Sequence, residues 1–206
     1  MAMARVSLGR ELIAGSLLAV SCAAGILAQD LASSLDTRGQ STVDGKTAPY
    51  LVRHLPVNAF PELPAAIQER LTRRGCLIPQ TYEAHRPENV VHASLERRGS
   101  SDWAVLCSAN GAVSLLVFLA SGDGEATVVV TAPETSRLQM HAMSDVMGFN
   151  WAIDAATPEQ IHEAQLDMHH PPPRVDHDGL ADSVVEGKTV YRFFTHGAWT
   201  IVETQD

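Results

Sequence analysis

Residues 102–119, Asp-Trp-Ala-Val-Leu-Cys-Ser-Ala-Asn-Gly-Ala-Val-Ser-Leu-Leu-Val-Phe-Leu, are the one stretch apolar enough on both faces to occupy the centre of a fold. Two nearly unbroken apolar runs flank Asn110-Gly111, and both of these residues tolerate the positive φ that a tight hairpin turn demands. A central β-hairpin is the expectation. Gly111 would break a single buried helix, and Val105, Val113 and Val117 favour strand. Because the apolarity is continuous rather than alternating, both faces of the hairpin must be covered, and helices are the natural covering elements.

The N-terminus points to a compartment. Arg5 and Arg10 precede an apolar run from Leu12 to Val20, and the small residues Ser21, Ala23, Ala24 and Gly25 follow. This is the layout of a secretory signal peptide, and the run is too short for an ordinary membrane-spanning helix. Residues 1–28 are therefore expected to be an export signal, with cleavage after Ala24, Gly25 or Ala28, which places the mature chain in a periplasmic or extracellular compartment. The alternative is a lipoprotein. Ala19-Val20-Ser21-Cys22 resembles a bacterial lipobox, in which a lipid on Cys22 would anchor the chain without spanning the membrane. Soluble export is preferred, because Ala19 stands where such boxes usually carry leucine.

The net charge of -9 at pH 7, with no basic stripe, would repel phosphate backbones and argues against a nucleic-acid partner. Of the three cysteines, Cys22 lies in the signal region, which leaves Cys76 and Cys107. In an oxidising compartment the simplest expectation is a disulfide between them, tying the segment after the first helix to the central strand. The competing reading, one cysteine as a nucleophile, lacks the accompanying spacing of any such site.

Residues 29–49 are mostly Ser, Thr, Asp, Gly, Gln and Ala, and read as a flexible linker before a single domain at 50–206. Gly39 to Thr47 falls short of a phosphate-binding loop, since five residues rather than four separate Gly39 from Gly45. Pro64 to Arg74 is expected to be a helix, with Leu63, Ala66, Ile67 and Leu71 on one face and Gly75 at its C-terminal end. Its other face carries Gln68, Glu69, Arg70, Arg73 and Arg74, a solvated face or, alternatively, a partner-binding one. Val90 to Leu95, the central hairpin and Ala126 to Ala132 then make an antiparallel meander. Residues 134–152 read as polar and Met-rich, with Met147 and Phe149 as core filler. Thr157-Pro158-Glu159-Gln160 has the form of a capping box opening a helix to Met168, ended by Pro171-Pro172-Pro173. Strands at Ser183 to Glu186, Thr189 to Thr195 and Ala198 to Glu203 complete an α+β fold, mainly antiparallel sheet packed with two or three helices.

The most specific candidate for chemistry is Asp176-His177-Asp178-Gly179-Leu180-Ala181-Asp182. Asp176, Asp178 and Asp182, with the Leu180 carbonyl, could converge on calcium; the alternative is that Asp176 and Asp178 only shape a tight turn. The loop is not an EF-hand, because Gly179 stands fourth rather than sixth and Gly187 fills the twelfth position. Asp-x-Asp-Gly-x-x-Asp before an apolar strand resembles the calcium loop of FG-GAP repeats, the blades of integrin-type propellers. A degenerate second copy lies at Gly99 to Leu106, where Gly99 and Asp102 match Gly179 and Asp182 but Arg97 and Arg98 replace the acidic ligands. The resemblance implies calcium in the first loop and none in the second, and it does not carry over the propeller, which needs several blades. More loosely, the layout of export signal, Cys-linked helix, Asp-Trp-Ala-Val-Leu-Cys hairpin and terminal Asp-His-Asp-Gly unit resembles exported bacterial proteins of uncharacterised activity, and implies no activity here.

His162, His169 and His170, with Asp167 or His177, offer a second metal candidate, set against the simpler role of histidines complementing a helix C-terminus. His162-Glu163 does not continue to a second histidine, since Leu166 stands at that position, and no Gly-x-Ser-x-Gly elbow is present. The leading expectation is an exported, non-enzymatic binding or structural module for a protein or small-molecule ligand, calcium-stabilised if the loop is filled. The alternative is an exported hydrolase with a catalytic site assembled from distant residues.

Overall fold

A computed structural model describes residues 35–204 apart from 44, 142, 143 and 167. Residues 1–28, read above as an export signal, with Cys22, and also Met143 and Asp167 lie outside the described residues. The strands are β1 (Thr37–Val43), β2 (Lys46–Pro56), β3 (Leu77–Gln80), β4 (Val90–Ala93), β5 (Asp102–Ala109), β6 (Ala112–Phe118), β7 (Thr127–Pro133), β8 (Leu138–Gln139), β9 (Met147–Phe149), β10 (Trp151–Ala156), β11 (Gly179–Val184), β12 (Thr189–Thr195) and β13 (Ala198–Glu203). The helices are α1 (Ala65–Arg73) and α2 (Pro158–Gln165). A nine-stranded sheet runs β7-β6-β5-β3-β2-β9-β8, with β1 paired to β2 and β4 to β5; a four-stranded sheet runs β10-β11-β12-β13. All pairings are antiparallel except β2 with β9.

The central hairpin forms as its sequence requires. Asn110 and Gly111 take φ of 53° and 78°, and β5 pairs with β6 from Ala109–Ala112 at the turn to Trp103–Phe118 at the far end. Alternation along β5 and β6 then divides the core. Trp103, Val105, Cys107, Leu116 and Phe118 face α1, meeting Ile67 and Leu71 together with Phe60 and Leu63. Ala104, Leu106, Val113, Leu115 and Val117 face the opposite way, onto Met147, Phe149, Trp151, Ile153 and Leu180. The second covering layer is thus a sheet, where the sequence suggested another helix. The helix α2 packs one layer further out, with Ile161 against Ala156, Phe193 and Val202 on the far face of the small sheet.

Two devices join these layers. Buried Asn89, at φ 69°, donates through Nδ2 to the Pro79 carbonyl at 2.7 Å and the Trp151 carbonyl at 3.3 Å, while its Oδ1 accepts from Ile153 N–H at 3.0 Å. The second is the Cys76–Cys107 disulfide, with Cα atoms 5.1 Å apart, as expected from the sequence. The end of α1 delivers Cys76 to it: Gly75 N–H bonds the Thr72 carbonyl at 2.9 Å and Cys76 N–H the Leu71 carbonyl at 3.0 Å, a Schellman closure. At α2, Thr157 and Gln160 form the expected capping box.

The linker reading of 29–49 needs correction. Within it, Thr37–Val43 and the start of β2 form an antiparallel hairpin, with Thr37 opposite Val52 and Val43 opposite Lys46. Val43, Ala48 and Tyr50 pack against the inter-sheet core, so ordering these polar strands is offset by apolar contacts made far along the chain. Residues 134–152, read as polar and Met-rich, supply β8, β9 and the first part of β10, while Met147 and Phe149 are fully buried, as expected.

Candidate functional site

The Asp176–Asp182 segment is built as the entry to a strand. β11 begins at Gly179, before the expected start at Ser183, so Leu180 and Asp182 are strand residues, with Leu180 paired to Ala155 on one side and Arg192 on the other. A Cβ at Gly179 would stand 2.6 Å from the Arg192 carbonyl and 2.9 Å from Ile161 Cδ1, so close packing explains this glycine. Asp182 accepts from Trp151 Nε1–H at 2.5 Å through one oxygen and from Arg192 Nε–H at 2.6 Å through the other. Asp178 Oδ2 accepts from Ser94 N–H at 3.0 Å. Among the described residues no group of three or more His, Cys, Asp or Glu side chains is arranged to hold a metal ion. His169 and His170 are exposed beyond α2, and Asp102, the counterpart of Asp182 in the degenerate copy, is buried and accepts from Glu96 N–H, Ala120 N–H and the Ser100 hydroxyl. Since Asp182 is fully engaged by protein donors, millimolar calcium and chelator should give melting midpoints within about 1 °C of each other. Differential scanning calorimetry checks this, and a calcium-dependent rise abolished by Asp178→Ala would support the cation reading instead.

Sequence reasoning missed a buried polar knot on the inter-sheet side. Ser108 on β5, His54 on β2 and Glu134, just after β7, are each less than a tenth exposed. His54 Nε2–H donates to Glu134 Oε1 at 2.9 Å, and the Ser108 hydroxyl donates to the same oxygen. Burial alone would raise the Glu134 carboxyl, but the hydrogen bonds from His54 and Ser108 and the His54 charge together hold it below the usual carboxylate range. The residue types are those of a hydrolase triad, but the geometry differs. A serine nucleophile must give its proton to the histidine, whereas here hydroxyl and imidazole both converge on the acid. The knot is an internal anchor. Separations of 26 and 80 residues between the partners leave no local motif that could have disclosed it.

The surface offers two concavities of interest. One, about 420 Å³, is bordered by Arg53, Arg86, His85 and Asp36. There Arg53 Nη2 donates to the carbonyls of Thr81 at 2.8 Å and Ala84 at 3.1 Å, so its guanidinium serves to latch the loop after β3. The other is a shallow groove of about 230 Å³ between α1 and the start of β7. Its floor is Leu71, Leu116, Phe118 and Ala126, and its wall is Arg70, Arg73 and Arg74, facing Glu125. No protein-family model, curated protein or solved structure matches this chain.

The groove arises from the helix face read from the sequence. Leu71 points into the core while Arg70, Arg73 and Arg74 stay outside it. Arg70 is held by an ion pair with Glu125 and by the Asp123 carbonyl at 3.3 Å. Arg73 makes only a 3.7 Å contact with Glu69, both side chains being about two-thirds exposed. Elsewhere, Tyr82 stacks on His141 at 4.5 Å and donates to Glu186 at 2.9 Å; burial and that carboxylate push its hydroxyl up to about 12, so it remains a donor.

Proposed function

We propose that the protein is an exported binding module whose recognition surface is the groove between α1 and β7. One observation carries the reading: three arginines stand over an apolar floor on a chain of net charge -9. Arg70 is taken up by Glu125, which leaves the weakly engaged Arg73 and Arg74 guanidiniums to meet an acidic group on a partner. The disulfide is compatible with export, and among the described residues no helix is long and apolar enough to cross a membrane. The buried knot supports binding over hydrolysis, because its serine and histidine are committed to holding Glu134.

Amide chemical-shift mapping tests the assignment. A collection of anionic, cationic and neutral fragments, titrated into the isotopically labelled exported chain, should shift resonances at 70–74 and 126–128, with anions dominating. Shifts confined to the Arg53 concavity, or spread without focus, would sink the assignment.

A further inference from the structure

We propose that the groove and the adjoining edge of β7 take an extended acidic peptide segment, which adds to β7 as a further strand and sets a carboxylate against the arginine wall. This rests on the recognition surface assigned above and names its ligand.

β7 pairs with β6 on one side, and among the described residues no strand lies on the other. Its sequence, Thr-Val-Val-Val-Thr-Ala-Pro, carries no charge, and its proline is the last residue. Edge strands are ordinarily protected by charge, by an internal proline or by brevity, and the opposite end of the sheet follows that pattern with only Leu138–Gln139. A shift in register opposite Leu115 and Leu116 leaves Val129 as an extra residue, but it adds no charge. An uncharged free edge of seven residues is a ready template for strand addition.

The groove lies where such a strand would project its side chains. Val128 is paired with Leu116, so both point to the α1 face; Val128 is 46% exposed and stands across the ladder from Leu116, one of the floor residues. A space of about 230 Å³ falls below the ~300–1,000 Å³ of sites that enclose a small molecule, and suits one or two side chains instead. The wall specifies their charge. Arg70 already holds the Glu125 carboxylate, directly ahead of β7, which shows the contact a ligand acid would make. Arg73 is weakly engaged, and Arg74 has no ion pair among the described residues.

The experiment uses three forms of one soluble probe: acetyl-Thr-Val-Thr-Val-Asp-Glu, its Asn-Gln counterpart, and a form N-methylated at alternate residues. Calorimetry and amide shifts on the full exported chain should give a Kd on the order of 100 µM for the acidic form. The Asn-Gln form should bind about tenfold more weakly, and so should the acidic form to the Arg73→Gln, Arg74→Gln double variant. The N-methylated form should not bind, because it cannot complete the ladder. Equal binding of the N-methylated form would overturn strand addition, and equal binding of the Asn-Gln form would overturn the arginine contact. If fragments map to the groove but no peptide binds, the recognition surface stands and this inference falls; if neither maps there, both fall. Sedimentation velocity covers the remaining occupant: a dimer dispersed by Val128→Lys would place a second copy on β7 and also overturn the inference.

Discussion

Replacing Cys76 and Cys107 together by alanine is expected to lower stability by about 3–4 kcal/mol, the chain-entropy value for a crosslink spanning 31 residues. For a domain of this length that corresponds to a fall of about 10 °C in midpoint. Chemical denaturation of oxidised protein, reduced protein and the double variant checks it, with reduced protein and the variant expected to agree to about 1 kcal/mol. A variant within about 1 kcal/mol of the oxidised protein would show that the crosslink constrains little in the unfolded chain. The effect also bears on binding. The bond clamps the residue two positions beyond Arg74 to the C-terminal half of β5, so it fixes the arginine-bearing end of α1 over the sheet. In the double variant the acidic probe should therefore lose affinity even under conditions where the fold remains populated.

What the sequence disclosed and what it concealed divide along a physical line. The hairpin of β5 and β6, the capping box of α2 and the bounds of β12 and β13 are local: turn residues with positive φ, a reciprocal side-chain cap and a two-residue His196-Gly197 turn carry their own geometry. The disulfide was legible because export and the cysteine count together left one pairing. β1 was hidden because the half-exposed strand Thr-Arg-Gly-Gln-Ser-Thr-Val has a linker's composition, and the burial of Val43, Ala48 and Tyr50 depends on residues about a hundred positions away. Asp178 and Asp182 looked like ligands because a carboxylate that organises a strand start and one that binds a cation occupy the same spacing. The donors that reach Asp182, Trp151 and Arg192, come from outside that segment and could not be read from its spacing. The arginines of α1 were visible as a charged face. Their position beside a free strand edge follows from sheet order, which no local pattern encodes.

Glu134 is where removal of a single buried group should cost most at neutral pH. Glu134→Ala takes away the acceptor shared by His54 Nε2–H and the Ser108 hydroxyl and leaves both donors buried, so a loss of about 3–5 kcal/mol is expected at pH 7. Glu134→Gln keeps an acceptor oxygen of the same shape and should lose less, about 1–3 kcal/mol. The pH dependence separates charge from shape. Because the folded-state carboxyl lies below its unfolded value of 4.5, the native state binds fewer protons than the unfolded one in that range. Its contribution is complete above the unfolded value and fades as pH falls through the lower, folded value. The stability difference between the native chain and Glu134→Gln should accordingly shrink steadily as pH falls below about 4.5. Urea denaturation at half-unit pH steps gives the curve. A difference that does not change down to pH 3 would mean that the knot is held by hydrogen-bond geometry alone, with the carboxylate charge contributing nothing to the anchor between β2, β5 and the turn after β7.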